Sequence, residues 1–164
     1  MKKIFIFSSS EKLKGGNMEP NYWLCILNRE NFESVKKNKV WGVSERHKNQ
    51  IHRTKVGDKL AFYLISEVKG KERLEPAIGG IAEVASEVFV NKRKIFPSAK
   101  IEGEVYPYRI KIKNLEVFKP EKPFKPLIEK LNFITNKKKY SGHLIGRAMR
   151  AIPREDFELL VKSK

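Results

Sequence analysis

The sequence predicts an α+β fold in which a mixed sheet curls toward a small barrel and short helices lie at its ends. Several short, β-rich apolar runs are separated by turn signals, and only short segments have helical patterning. No internal repeat is visible in the sequence. With 164 residues and 40% hydrophobic content, the chain can bury one core of good size, so we expect a single domain.

The first strand is the apolar run at residues 22–27. Asn28 follows it and offers its side-chain oxygen as the cap of a short helix over residues 29–37. The full set of elements predicted up to residue 65 is the strand 22–27, the helix 29–37, an extended piece at 40–43, a weakly helical basic segment at 45–54, a turn at 56–58 and a strand at 59–65.

Glycines and prolines divide the second half of the chain. Gly79 and Gly80 lie inside a β-rich pattern over residues 77–88, which indicates a bulge or a place where another backbone or a ligand comes close. We expect this strand to pair with the next one, at 106–118, across a long exposed loop. The other predicted elements are a charged loop at 69–76, a short helix at 127–133 and a final helix from Pro153 to about residue 162.

Residues 1–17 are expected to form a flexible lead, because their Ser- and Gly-rich composition cannot bury much surface. The domain then covers residues 18–164, and Met18 is a candidate native start. No run reaches the roughly 18 apolar residues of a spanning helix, and the apolar stretch at 4–7 is shorter than a signal-peptide core of about 7–15 residues. We therefore expect a cytoplasmic protein with no membrane partner, which the lone Cys25 fits.

Charge is the strongest compositional signal. The chain has 35 Lys and Arg against 19 Asp and Glu, a formal net charge of +16, which is more than solubility requires. This imbalance indicates a polyanionic partner, and we expect nucleic acid, bound by a monomer. The alternative is the charged surface of a thermophile protein, which explains the number of charges but not their imbalance.

Catalytic and metal chemistry find little support in the sequence. His47, His52 and His143 lack a recognisable ligand spacing, and Cys25 lies in a predicted core strand, where it is a small buried hydrophobe. Neither a P-loop nor a glycine-rich dinucleotide motif is present. We expect no catalytic residue, no metal and no cofactor.

One segment combines an aromatic ring with many cations. Trp41 lies in the basic run at residues 36–55, where cations can hold phosphates while the indole stacks on a base. The candidate phosphate-binding residues are Lys36, Lys37, Lys39, Arg46, Lys48, Arg53 and Lys55. The competing interpretation is a core tryptophan among solvated charges, and it applies even more to Trp23.

A series of short motifs occurs in a characteristic order. It consists of Tyr22-Trp23-Leu24, Val40-Trp41-Gly42-Val43-Ser44, the run at 55–63, Gly79-Gly80-Ile81-Ala82-Glu83-Val84, Tyr106-Pro107-Tyr108-Arg109 and closing residues between 133 and 157. Together these motifs resemble the EVE domain of the PUA-like superfamily, in particular a branch of uncharacterised archaeal and bacterial proteins. The resemblance covers residues 22–161 and implies a PUA-like fold, a small barrel-like mixed sheet with peripheral helices and a cleft between them.

Residues 40–50 are also similar to a segment of the related YTH domains, in which a tryptophan forms one wall of a methyl-base cage. The resemblance implies that Trp41 is an aromatic wall and Ser44 its polar neighbour. Asn49 is a further candidate, although the glycine of the YTH pattern is replaced by Lys48 here.

A second cage aromatic is expected in the loop after residue 84. Phe89 or Phe96 can supply it only if that loop folds back onto the domain. Trp23, Tyr63 and Tyr106 complete the candidate pocket residues, and core packing is the competing role for each of them.

The predicted function is therefore a nucleic-acid-binding module that captures a single, modified base in an aromatic pocket. Cations hold the backbone, one base leaves its stack, and Trp41 receives its face. Burying one methyl group contributes about 1 kcal/mol, which corresponds to an about five- to tenfold preference for the modified base. We expect Trp41→Ala to abolish base-dependent affinity at little cost in stability. An enzyme acting on RNA or DNA, and a module for small ligands or proteins, are the alternatives.

Overall fold

The protein is described here by a computed structural model that covers residues 19–99 and 101–162, so the predicted lead at 1–17 lies outside the described residues. The strands are β1 (Tyr22–Leu27), β2 (Val40–Val43), β3 (Lys59–Leu64), β4 (Glu67–Lys69), β5 (Glu72–Leu74), β6 (Ala77–Val84), β7 (Phe89–Val90), β8 (Tyr108–Pro123) and β9 (Met149–Ile152). The helices are α1 (Arg29–Asn38), α2 (Lys48–Ile51) and α3 (Arg154–Lys162), with 3₁₀ turns at Glu45–His47, Lys125–Lys130 and Tyr140–His143.

Within the described residues, seven strands form one mixed sheet in the order β2-β8-β6-β3-β1-β9, and β7 pairs with β8. Strands β1 and β3 are parallel, whereas the other pairs are antiparallel. The long β8 pairs with β2 through residues 108–111 and with β6 through residues 112–123. Register shifts along the β6–β8 pair bend both strands, and the sheet curls into a half-barrel. The predicted α+β class with a curled mixed sheet is confirmed.

Most elements agree with the prediction. The Asn28 side chain accepts a hydrogen bond from the backbone N–H of Asn31 at 2.8 Å, so it caps α1 as expected. The predicted charged loop at 69–76 is instead occupied in part by the hairpin of β4 and β5. The predicted helix at 127–133 is a 3₁₀ turn at Lys125–Lys130, and β9 was not predicted.

Gly79 and Gly80 mark a place where other segments of the chain come close to β6, as predicted. A Cβ atom on Gly80 would lie 2.5 Å from the carbonyl oxygen of Glu116, on the neighbouring strand β8. A Cβ atom on Gly79 would lie 2.8 Å from a methyl carbon of Leu64. Glycine is required at both positions because the packed neighbours leave no room for a side chain.

The two faces of the sheet carry two hydrophobic clusters, because successive residues of a strand point to opposite faces. In β1, Trp23 and Cys25 belong to the first cluster, whereas Leu24 belongs to the second. Helix α1 packs on the first cluster through Phe32, and α3 packs on the second through Phe157. The functional candidates of β2 lie on the first face.

Candidate nucleic-acid interface

A cleft of about 510 Å³ opens on the first face of the sheet, at the start of α1. Its walls come from the end of β1 with the start of α1, Ile65 after β3, the end of β2 with the following 3₁₀ turn, the loop after β7, and the segment before β9. The lining residues from these parts include Trp41, Gly42, Ser44, Arg46, His47, Phe96, Ser98, Ile101, Tyr106, Gly146 and Arg147.

Trp41 forms a wall of this cleft and also belongs to the core. Its indole is 4% exposed, meets Phe62 edge-on at 6.1 Å between ring centroids, and donates from Nε1 to the sulfur of Met149 at 3.5 Å. Truncating a buried tryptophan to alanine costs about 3–5 kcal/mol. This burial contradicts the expectation that Trp41→Ala has little effect on stability.

The loop after β7 folds back and brings Phe96 into the cleft. The Phe96 ring is 2% exposed and packs edge-on against Tyr106, with 5.7 Å between the ring centroids. Phe89 lies in β7 and is not among the cleft residues. Of the two candidates for a second aromatic, Phe96 lines the same cleft as Trp41 and Phe89 does not. The expectation of a wholly exposed loop is wrong at Phe96, although Lys92, Arg93 and Lys94 are exposed.

Arg109 in β8 holds this loop by hydrogen bonds. Its guanidinium is 2% exposed and donates to the carbonyl oxygens of Tyr106 at 2.9 Å, Arg93 at 2.6 Å and Val105 at 2.8 Å. It also lies 5.7 Å from the centroid of the Phe96 ring. Burial lowers the pKa of the Arg109 guanidinium, but the group stays charged at any ordinary pH. One buried cation thus fixes both ends of the segment that carries Phe96.

Helix α1 holds the same loop from the side. Asn28 donates to the Ser98 hydroxyl at 2.8 Å. Asn31 exchanges hydrogen bonds with the Ser98 backbone, donating to its carbonyl at 2.9 Å and accepting from its N–H at 3.0 Å. The Ser34 hydroxyl donates to the carbonyl of Ile95. The aromatic wall is therefore held in place before any ligand arrives.

Three predicted pocket residues do not reach the cleft. Asn49 is exposed on α2 and is not a lining residue. Trp23 is buried in the first cluster, where its Nε1 donates to Asp58 at 3.0 Å. Tyr63 lies in the second cluster, edge-on to Phe124, and burial raises the pKa of its hydroxyl. For both aromatic residues the structure gives the competing role, core packing.

The predicted phosphate-binding cations are spread over several surfaces, and among them only Arg46 lines the cleft. Lys48 pairs with Glu45 at 3.1 Å, and Lys55 pairs with Asp58 at 3.0 Å. Lys36 lies in a second groove and pairs with Glu33. Lys37 and Lys39 are exposed. The guanidinium of Arg53 lies over the Trp23 ring, 5.9 Å from its centroid.

Two functional candidates were missed by sequence reasoning. Arg147 is exposed and lines the cleft, but it lies far along the chain from Trp41, and no local pattern connects them. His47 also lines the cleft, whereas from the sequence it was considered only as a metal ligand. Burial and, next, the neighbouring Arg46 lower the pKa of His47, so its ring is neutral near pH 7 and presents one N–H donor and one acceptor.

Other features of the described residues give no second candidate. The groove that contains Lys36 has mixed charge, because Arg29 pairs there with Glu67 at 3.1 Å and with Glu121 at 2.6 Å. No group of three or more His, Cys, Asp or Glu side chains is placed to hold a metal ion within the part of the chain that the structure describes. None of the helices described is long and apolar enough to cross a membrane.

Comparison with known proteins adds to this geometry. The EVE domain family model matches residues 21–163. A UPF0310 protein of Pyrococcus abyssi is 54% identical over 140 residues, which cover 85% of this chain and 96% of the relative. Pyrococcus is a thermophile genus, which fits the charged surface.

Solved structures agree on the fold. The human THYN1 protein in complex with 5-methylcytosine-containing DNA has a TM-score of 0.56 at 16% identity and covers 86% of this chain and 95% of its own. The YTH domain-containing protein Mmi1 in complex with RNA has a TM-score of 0.52 at 14% identity and covers 87% and 80%. The expected PUA-like fold is confirmed.

Proposed function

The chain belongs to the EVE domain family, and from this premise we propose that it binds nucleic acid and captures a single, modified base in the cleft between Trp41 and Phe96. One observation carries the proposal. Two aromatic side chains from distant parts of the chain line one cleft, with the exposed cations Arg46 and Arg147 also on its lining.

The size and surface of the cleft fit a flat aromatic ligand. Its volume of about 510 Å³ lies within the range of about 300–1,000 Å³ for small-molecule sites. Stacking a base on an aromatic side chain contributes about 1–3 kcal/mol, which offsets the few kcal/mol needed to take a base out of its stack. A methyl group on the base adds about 1 kcal/mol by burial.

Polar groups beside the rings can select the base edge. The side chain of Ser44 does not cap the 3₁₀ turn that follows it, so its hydroxyl is available to a ligand. The neutral His47 ring adds a donor and an acceptor on the same side. Hydrogen bonds from such half-buried groups discriminate between bases more strongly than one methyl group does once the ligand covers them.

The nature of the ligand is supported by the structural relatives. THYN1 was solved with DNA that contains 5-methylcytosine, and Mmi1 was solved with RNA. Their identity to this chain is low, so they support a nucleic acid without selecting DNA or RNA. The proposal is binding rather than a reaction at Cys25, since burial raises the pKa of this thiol and disfavours the reactive thiolate.

A matched pair of tryptophan variants tests the proposal. Trp41→Phe and Trp23→Phe each replace a buried indole by a smaller ring, but only Trp41 lines the cleft. Trp23→Phe also leaves Trp41 as the single tryptophan, whose emission then reports on the cleft. The ligands are DNA and RNA oligonucleotides that differ in one base, either methylated or unmodified.

We expect Trp23→Phe to bind the methylated strand about five- to tenfold more tightly than its unmodified counterpart, with a change in Trp41 emission. Trp41→Phe should lose most of this preference while keeping the fold, because a phenyl ring preserves part of the packing against Phe62 and the contact to the Met149 sulfur is weak. Equal affinities across the panel with unchanged emission would leave only a non-specific basic protein.

A further inference from the structure

Two exposed isoleucines belong to segments that line the cleft. Ile145 is 72% exposed and Ile101 is 63% exposed. Ile101 lines the cleft, and Ile145 directly precedes the lining residues Gly146 and Arg147. A single exposed apolar side chain is ordinary on a protein surface, but two of them beside the same base-sized opening call for an explanation.

The tip that carries Ile145 is held from both sides. Leu144 before it is buried, at 5% exposure. The backbone N–H of Ile145 donates to the carbonyl of Ser141 at 2.8 Å, and the carbonyl of Ala148 accepts from the N–H of Ile26 in β1 at 2.8 Å. Ile145 therefore projects from an anchored turn, so little conformational entropy is lost when it makes a contact.

The turn at this tip places two different side chains close together. Gly146 has a φ of +78°, the left-handed conformation that glycine adopts at little cost, and it reverses the chain between Ile145 and Arg147. An apolar side chain is thus placed next to an exposed cation, at the opening of an aromatic cleft.

We infer that Ile145, assisted by Ile101, is a wedge that enters the gap left when a base moves into the cleft, so that the preferred substrate is a double helix. The inference rests on the proposed function. In a duplex, removing one base exposes the apolar faces of its neighbours and of the gap, and proteins that kink duplexes insert Ile, Leu, Phe or Met side chains there. Such a wedge gains nothing from an isolated single strand, whose bases are free to rotate.

The charges around the wedge complement a duplex. Arg147 follows Ile145 by two residues, and Arg46 lies on another wall of the same cleft. Both are exposed and make no ion pair among the residues that the structure describes. Two cations on the lining of a cleft that has an apolar tip beside it fit the phosphates that flank a base step.

The test compares Ile145→Ser with Val68→Ser. Val68 is also strongly exposed, at 68%, but it lies on the β4–β5 hairpin and does not line the cleft. Each variant and the wild type are titrated with a duplex and with a single strand that carry the same methylated base, in DNA and in RNA. A 2-aminopurine next to the methylated base reports its unstacking, and thermal melting verifies that the variants are folded.

We expect the wild type to bind one of the duplexes more tightly than the matching single strand, with a rise in 2-aminopurine emission. Ile145→Ser should lower duplex affinity on the order of tenfold and reduce that rise, while single-strand affinity stays unchanged. Val68→Ser should behave as the wild type.

The wedge is refuted if Ile145→Ser leaves duplex affinity unchanged, or if the wild type prefers single strands in both DNA and RNA. These outcomes still leave the preference for a methylated single strand in place. Loss of that preference in the wild type would instead contradict the proposed function itself.

Discussion

Gly42 sets how closely the loop that carries Phe96 approaches β2. A Cβ atom at this position would lie 2.8 Å from the backbone carbonyl of Tyr106 and 3.1 Å from the Phe96 ring. A backbone atom cannot move aside as easily as the end of a flexible side chain. Gly42 thus has a physical role, because the absence of a side chain lets the loop that carries Phe96 pack closely on β2.

Gly42→Ala is expected to push the loop outward. Overpacking of this kind costs about 1–3 kcal/mol in unfolding free energy, and the displaced Phe96 should weaken capture of the methylated base. Urea denaturation and oligonucleotide titration measure the two effects. Gly142→Ala is the matched control, since no described atom lies within 4 Å of its Cβ position. A Gly42→Ala protein with wild-type stability and affinity would show that the close packing has no consequence.

At the scale of elements, the loop between β7 and β8 depends on Arg109. The fork of its guanidinium reaches three carbonyls at once, which a lysine ammonium cannot match because it is a point charge on a flexible stem. Each buried carbonyl left without a donor costs about 1–3 kcal/mol. The loop should therefore open locally long before the domain unfolds.

Arg109→Lys tests this dependence with trypsin, because the exposed residues 92–94 are cleavage sites within the loop. We expect cleavage there to be more than about tenfold faster than in the wild type, since about 1.4 kcal/mol of lost local stability suffices, and base capture to weaken. The control is Lys111→Arg, at an exposed position on the same strand. It also preserves the number of trypsin sites, and it should leave the cleavage rate and base capture unchanged. Equal cleavage rates would mean that the contacts with α1 suffice to hold the loop.

Elements with strong local signals were predictable from the sequence. The Asn28 cap, the apolar β1 and the paired glycines of β6 each depend on neighbours in sequence. The hairpin of β4 and β5 was missed because its two strands are rich in charged residues and place Lys69 opposite Glu72. A strand was predicted only where apolar residues alternate with polar ones. Strand β9 was missed because it has four residues and depends on pairing with the distant β1.

The candidate site divides in the same way. Trp41 and Ser44 lie in one local motif, which made them predictable. Phe96 could be predicted only on the condition that its loop folds back, since the contacts with Arg109 and α1 that fold it are long-range. Arg147 joins the cleft through the position of the segment before β9, and no spacing in the sequence indicates that contact.

At the scale of the whole molecule, a net charge of +16 attracts any polyanion, but the structure distinguishes among its cations. Several are engaged with nearby carboxylates, including Lys36 with Glu33 and Lys55 with Asp58. At the cleft residue Glu45, the hydrogen bond and charge of Lys48 lower the pKa of the carboxyl, and Lys92 adds to the same effect. The general attraction should therefore be separable from the contacts made at the cleft.

The salt dependence of binding separates the general attraction from the contacts made at the cleft. For double-helical ligands the slope of log K against log salt is about −0.9 for each phosphate neutralised, so binding should weaken steeply with salt. Replacing both Arg46 and Arg147 by Gln should make the slope shallower by about 2, because both line the cleft. The control variant replaces Lys69 and Lys119 by Gln. Both lysines lie in the second groove, and the net charge changes by the same amount as in the test variant. If both double variants shift the slope equally, attraction is set by total charge, and the cleft has no privileged phosphate contacts.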